Sequence, residues 1–283
     1  MAVDDDLDLY DSSSPTLPSP RSPSFVPALV ALGLVALGGG AALWFYLHRT
    51  PAPAIVQPAV TPSAAAPAPP PAALGTRPEA VEVPPLDASD GVVRDLVRRL
   101  SAHPVVGAWL AGDGLLRHFA AAVENVAAGQ APTIHVQALR PSDPFRVTTQ
   151  GGKTVIDPRS YSRYNGIAEA LDSVDAETAA RLYSTLKPRL GDAVAELGQA
   201  PGSLDASLER AIVTVLQTPA VSDPVVLTPK GIGYGFADPR LESLPAAQKQ
   251  LLRMGPTNAR RIQASLRRIA LALGIPAARL PPP

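Results

Sequence analysis

The side chains best able to do chemistry stand close together at Asp157, Tyr161, Arg163 and Tyr164. Arg163 could clamp an anion while the two tyrosines line a cleft. With Asp143 or Asp157 as working carboxylates, the same stretch could support acid/base chemistry, which requires two groups in reach of one another with separated pKa values. A capped turn is the favoured reading of these residues. Asp157 precedes Pro158, the pattern of an N-cap followed by proline at the first helical position, and the tyrosines would then pack inward.

A second candidate surface is basic. Residues 239–283 carry Glu242 as their only acidic side chain, against Arg253, Arg260, Arg261, Arg267 and Arg268 among others. On a terminal helix with Ile262, Leu266, Ile269 and Leu273 along one face, the arginines fall opposite, where they could meet lipid headgroups, a polyanion or an acidic protein. The competing reading is a solvated face paired to acids elsewhere in the domain. No nucleic-acid reader motif accompanies the arginines, so nucleic acid is not an expected partner.

Other chemistries are poorly served. His48, His103, His118 and His135 do not form a metal-ligand spacing, and without cysteine there is no disulfide, thiolate ligand or thiol nucleophile. The glycines of Gly231-Ile232-Gly233-Tyr234-Gly235 lie after Lys230 and before Asp238-Pro239, which is the wrong order for a phosphate cradle and the right one for a closely packed strand. No catalytic residue, metal or cofactor is assigned.

The elements that must position these side chains are mostly helices. Val92, Val93, Leu96, Val97 and Leu100 recur at helical spacing, as do Leu115, Leu116, Phe119, Val123 and Val126, closed by Gly129. Leu182, Leu186, Leu190, Val194 and Leu197 predict a further helix that Pro188 should kink or restart. Leu204, Leu208, Ile212 and Leu216 predict another. Two β-prone runs flank Gly151-Gly152 and predict a hairpin; residues 225–227 and 232–236 predict a second β piece, pairing with itself or with the first. The expected fold is mainly α (α+β), one helical domain with one or two small hairpins.

Four regions follow from composition: an acidic tail at 1–24, an uncharged apolar run at 25–47, a proline- and alanine-rich spacer at 48–85, and a globular domain at 86–280. At 1.5 Å rise, about 20 helical residues cross a ~30 Å hydrocarbon core, and Trp44, Phe45 and Tyr46 form an interfacial belt at the far end. A cleaved signal peptide is the rival, with Ala52-Pro53-Ala54 as a cleavage site, but the long acidic n-region and the length of the run oppose it. Arg21 and Arg49 flank the run on opposite sides and leave orientation open; the spacer, extended at ~3.1 Å per residue, favours a cytoplasmic N-terminus with the domain held outside.

Several phrases resemble an uncharacterised bacterial family, domain of unknown function 3014. They are Asp143-Pro144-Phe145-Arg146-Val147, Ile156-Asp157-Pro158 with Tyr161 and Arg163-Tyr164, and Leu182-Tyr183 with Leu186-Lys187-Pro188. Phe236-Ala237-Asp238-Pro239 and the run Ala247-Gln248-Lys249-Gln250-Leu251-Leu252-Arg253-Met254-Gly255-Pro256 with Asn258 and Arg260 complete the set. The resemblance spans nearly all of 86–275 and implies a membrane-anchored bacterial protein of unassigned function, with no catalytic residues to carry over. The expected function is a membrane-anchored, non-enzymatic interaction module of the bacterial inner membrane that meets a protein or envelope component. The alternative is an envelope-polymer hydrolase or anion-binding domain.

Overall fold

The computed structural model describes residues 73–282. The apolar run at 25–47, the acidic tail and most of the spacer lie outside the described residues. Among the described residues no helix is long and apolar enough to cross a membrane.

The first half of the domain runs α1 (Asp90–Leu100), α2 (Pro104–Leu110), α3 (Leu115–Ala127), β1 (Val147–Gln150), β2 (Lys153–Ile156), α4 (Pro158–Ser162), α5 (Asn165–Asp172) and α6 (Ala176–Glu196). The second runs α7 (Leu204–Leu216), β3 (Leu227–Lys230), β4 (Gly233–Phe236), α8 (Pro239–Glu242), α9 (Ala246–Arg253) and α10 (Pro256–Ala272). The fold is thus mainly helical, with two antiparallel two-stranded hairpins.

Helical periodicity builds the main core. Leu115, Leu116, Leu190, Val194, Leu204 and Ile212 are buried where α3, α6 and α7 meet, each such side chain contributing roughly 1.5–3 kcal/mol of transfer free energy. Ala120, Ala180 and Ala270 are fully enclosed, and their small size lets the helix backbones approach. Asp90, in the first turn of α1, reaches across to accept from the Gly114 and Leu115 amides at 2.6 and 2.9 Å, so one helix caps another.

Two features differ from the sequence expectation. Of the kink or restart expected at Pro188, the restart does not occur: α6 continues through it. The missing amide costs one hydrogen bond, but buried Leu186 and Leu190 hold the turns on either side against the core. The packed surface also begins ahead of residue 86. Leu74 and Val83 are buried, the Glu79 amide donates to Thr185 Oγ1 at 2.9 Å, and Arg189 Nε donates to the Val83 carbonyl at 3.0 Å. The end of the proline-rich stretch is therefore strapped along α6 by hydrogen bonds between its main chain and α6 side chains.

The chain also repeats itself. Ser142-Asp143-Pro144 and Ser222-Asp223-Pro224 each lead into a hairpin of two four-residue strands. The two-residue turns start at Gly151 (φ 56°) and Gly231 (φ 57°), a left-handed conformation that glycine adopts without steric cost. Asp157-Pro158-Arg159 and Asp238-Pro239-Arg240 follow, each aspartate accepting from the arginine amide at 2.9 Å. The order helix, hairpin, two short helices, long helix thus occurs twice, from α3 to α6 and from α7 to α10. At one constant offset the two long helices share Ala179 with Ala259, Arg181 with Arg261 and Leu186 with Leu266. The hairpins join through a Val155–Val226 bridge and an Ile156 amide to Val225 carbonyl bond of 3.1 Å, so that β2 meets the residues just ahead of β3 and β1 and β4 are left as the outer strands.

Candidate functional site

Asp157 does what its position ahead of proline allows. It is buried, caps α4 by accepting from the Arg159 amide, and forms a 2.6 Å ion pair with the Arg159 guanidinium, which holds its pKa below the usual carboxylate range. Tyr161 points into the second core cluster, where its hydroxyl donates to Asp223 Oδ1 at 2.8 Å, and burial pushes its pKa up. Asn258, enclosed at the start of α10, donates to the Tyr161 carbonyl and to Asn165 Oδ1, both at 3.0 Å. Gly255, at φ 89°, lies against the Tyr161 ring so closely that a Cβ would come within 2.5 Å of Tyr161 Cγ.

Arg163 and Tyr164 face the other way. The Arg163 guanidinium sits 5.7 Å from the Phe145 ring centroid and 5.2 Å from that of Tyr164, within cation–π range. Its Nη1 donates to the main-chain carbonyl of Asp143 at 2.6 Å, while the Asp143 side chain is exposed. Gln250, on α9, donates to the Tyr164 hydroxyl at 3.2 Å. Phe145 in turn approaches Tyr234 of β4 with 6.5 Å between ring centroids. Arg253 lies 5.5 Å from the Phe236 centroid and donates to the Tyr234 carbonyl at 2.9 Å. Beside them Ile232 stands fully exposed in its turn.

Of the four clustered residues, the structure thus brings Arg163 alone to a surface, with the buried Tyr164 ring against its guanidinium, and uses Asp157 and Tyr161 as internal supports. That surface combines aromatic faces, an exposed isoleucine and two arginines held by stacking rather than by carboxylates. The cleft beside Arg163, lined by Val105, Leu139, Arg140, Asp143 and Ile167 among others, has a volume of about 230 Å³. This is below the ~300–1,000 Å³ of small-molecule pockets and suits a single side chain better than a cofactor. Phe145, Ile232, Tyr234 and Gln250 were not candidates on sequence grounds. The signal available was Ile232: an apolar residue in a two-residue turn, where local structure gives it nothing to pack on.

The arginine set does not form one surface. Arg253 belongs to the aromatic surface. Arg261 pairs with Glu169 at 3.5 Å, Arg268 with Asp172 at 2.8 Å, and Arg267 donates to the Pro281 carbonyl. These contacts tie α10 to α5 and to the C-terminal segment. Arg260 is exposed and has no ion pair among the described residues. Among the histidines, His103 caps α2 and His118 lies 5.9 Å from His135; no cluster of three potential metal ligands occurs among the described residues.

A family model described as Protein of unknown function (DUF3014) matches residues 115–270. The match begins with α3 and ends within α10, so it takes in both repeats. No curated protein and no solved structure matches the chain.

Proposed function

The chain belongs to the DUF3014 family, and on that premise we propose that its domain is a non-enzymatic interaction module whose binding face is the joined hairpin surface. The observation that carries this reading is the set of Phe145, Ile232 and Tyr234 displayed between Arg163 and Arg253. Aromatic and arginine side chains are the types enriched at protein interfaces, and tyrosine and arginine dominate their binding energy. Here stacking and main-chain hydrogen bonds fix both arginines, so little rotamer entropy is lost on contact.

The rest of the chain supports a tethered version of this module. Residues 25–47 would anchor it in the bacterial inner membrane, N-terminus cytoplasmic and domain periplasmic. The spacer would then set its reach, at ~3.1 Å per residue in polyproline conformation. The partner is a protein or other envelope component.

The test is site-specific photo-crosslinking in the native host with the full-length chain. A photoreactive residue at Ile232 or Tyr234 is expected to yield a discrete protein adduct that the same residue at exposed Leu197, on the end region of α6, does not. Equal or absent adducts at the two locations would overturn the reading.

A further inference from the structure

The outer strands of the two joined hairpins, β1 and β4, are finished differently. The Asp157 amide donates to the Arg146 carbonyl at 3.1 Å. Antiparallel pairs alternate between hydrogen-bonded and open, so Val147 and Thr149 fall at positions whose N–H and C=O groups point away from β2. The Ala237 amide donates to the Val226 carbonyl at 3.0 Å, which turns the corresponding groups of Tyr234 and Phe236 outward from β3. On β4 two of those four outward groups are occupied: Arg253 donates to the Tyr234 carbonyl, and Glu242 Oε2 accepts from the Phe236 amide at 2.9 Å. On β1 the outward groups of Val147 and Thr149 have no partner among the described residues, and the strand is largely exposed.

Charge selects what could lie there. Arg146 precedes β1 and Lys153 faces Gln150 at its other end; both are exposed and neither has an ion pair among the described residues. A second copy of this chain laid antiparallel against β1 would bring the Arg146 end of each strand to the Lys153 end of the other, setting like charges together. An acidic strand meets no such opposition.

We propose that β1 is a strand-addition edge, and that the module binds an extended acidic segment of its partner as a fifth strand beside β1. This rests on the interaction-module reading and adds its mode: main-chain bonds to Val147 and Thr149 supply affinity, and Arg146 and Lys153 select acidic sequence. Phe145 and Val147, on one face of the strand and partly buried in the second core cluster, would receive the apolar side chains of an alternating acidic and apolar peptide.

The experiment is fluorescence anisotropy of a labelled peptide alternating glutamate and valine, titrated with the full-length chain in nanodiscs. A peptide with lysine in place of glutamate is the control. Saturable binding of the acidic peptide alone is expected, weakened about tenfold or more by Thr149→Pro, which removes an outward amide while leaving the β1–β2 ladder paired. The double variant Arg146→Glu, Lys153→Glu gives a second reading that does not alter the backbone and is expected to abolish binding. Absence of saturable binding, or binding indifferent to all three changes, overturns the proposal. So does concentration-dependent dimerisation in sedimentation that Thr149→Pro removes, because the occupant is then a second copy. Strand addition failing while Ile232 still crosslinks a partner would sink this mode and leave the module reading standing.

Discussion

The two hairpins share a backbone and differ in what covers it. Both start from Ser-Asp-Pro, turn at a left-handed glycine and end on an aspartate-capped Pro-Arg helix. In the second repeat, Glu242 sits three residues after Pro239 and reaches back to seal the edge of β4. In the first, the residue three after Pro158 is Tyr161, which turns inward to Asp223 of the other repeat and leaves β1 unsealed. The same local geometry has thus been spent in one case on closing an edge and in the other on joining the halves. A duplicated unit can stay folded while one copy is released for contact, provided the other supplies the missing support.

The largest effect should come from breaking that support. Gly255 and Asp175 occupy the same place in the two repeats, each before its long helix. Asp175 caps α6, accepting from the Thr178 amide at 2.8 Å, whereas Gly255 leaves α10 without a side-chain cap and keeps the space that the Tyr161 ring fills. Gly255→Ala puts a Cβ into that ring at a φ of 89°, and should cost roughly 3 kcal/mol in denaturant unfolding. Gly255→Asp, which imports the cap from the first repeat, should be no better. A stabilised Gly255→Asp protein would show that the repeats are interchangeable here and that Tyr161 is not a fixed brace.

A smaller effect isolates the bond itself. Tyr161→Phe keeps the ring against Gly255 and removes only the hydroxyl donated to Asp223, so the loss should be roughly 1.5 kcal/mol, the low end for a hydrogen bond to a charged acceptor, because Asp223 is exposed. Tyr183→Phe removes an analogous 2.6 Å bond to Asp205, but that carboxylate keeps Lys187 and the Leu74 amide as partners. Tyr161→Phe should therefore cost more. Equal losses would mean that Asp223 finds water as readily as Asp205 finds its remaining partners.

The comparison also marks where sequence reading stops. The Gly151-Gly152 turn, the Asp157-Pro158 cap and the helical spacing of Leu204 to Leu216 are local signals, and each is realised where it was expected. Long-range pairing is not local. Arg261 and Arg268 find Glu169 and Asp172 at separations of 92 and 96 residues, so no spacing rule could distinguish a free arginine stripe from a paired one. The repeat was hidden because few identities survive and Ala237 shifts its register by one. Leu74 and Val83 were masked by neighbouring prolines, since composition reports the average of a segment and not which of its side chains finds a surface.

The smallest effect concerns the sealed edge. Lys230 and the Phe236 amide hold Glu242 down to a pKa of about 2, from an ordinary 4.5. A carboxylate depressed on folding contributes stability that is complete above its unfolded value and is lost as pH falls through its folded value. The Glu242 contribution should thus be intact at pH 6 and disappear between about 4.5 and 2. Because the Lys230 head is two-thirds exposed, solvent screens the pair and the change in thermal midpoint should be modest. Glu242→Gln should flatten the melting curve's pH dependence in that window. Glu242→Ala goes further, freeing the Phe236 amide and opening part of the β4 edge, where Arg253 still holds the Tyr234 carbonyl. If an open edge is what admits an acidic strand, this variant should take up a second equivalent of the glutamate–valine peptide at pH 7. Unchanged stoichiometry would place the selectivity in Arg146 and Lys153 rather than in the open backbone.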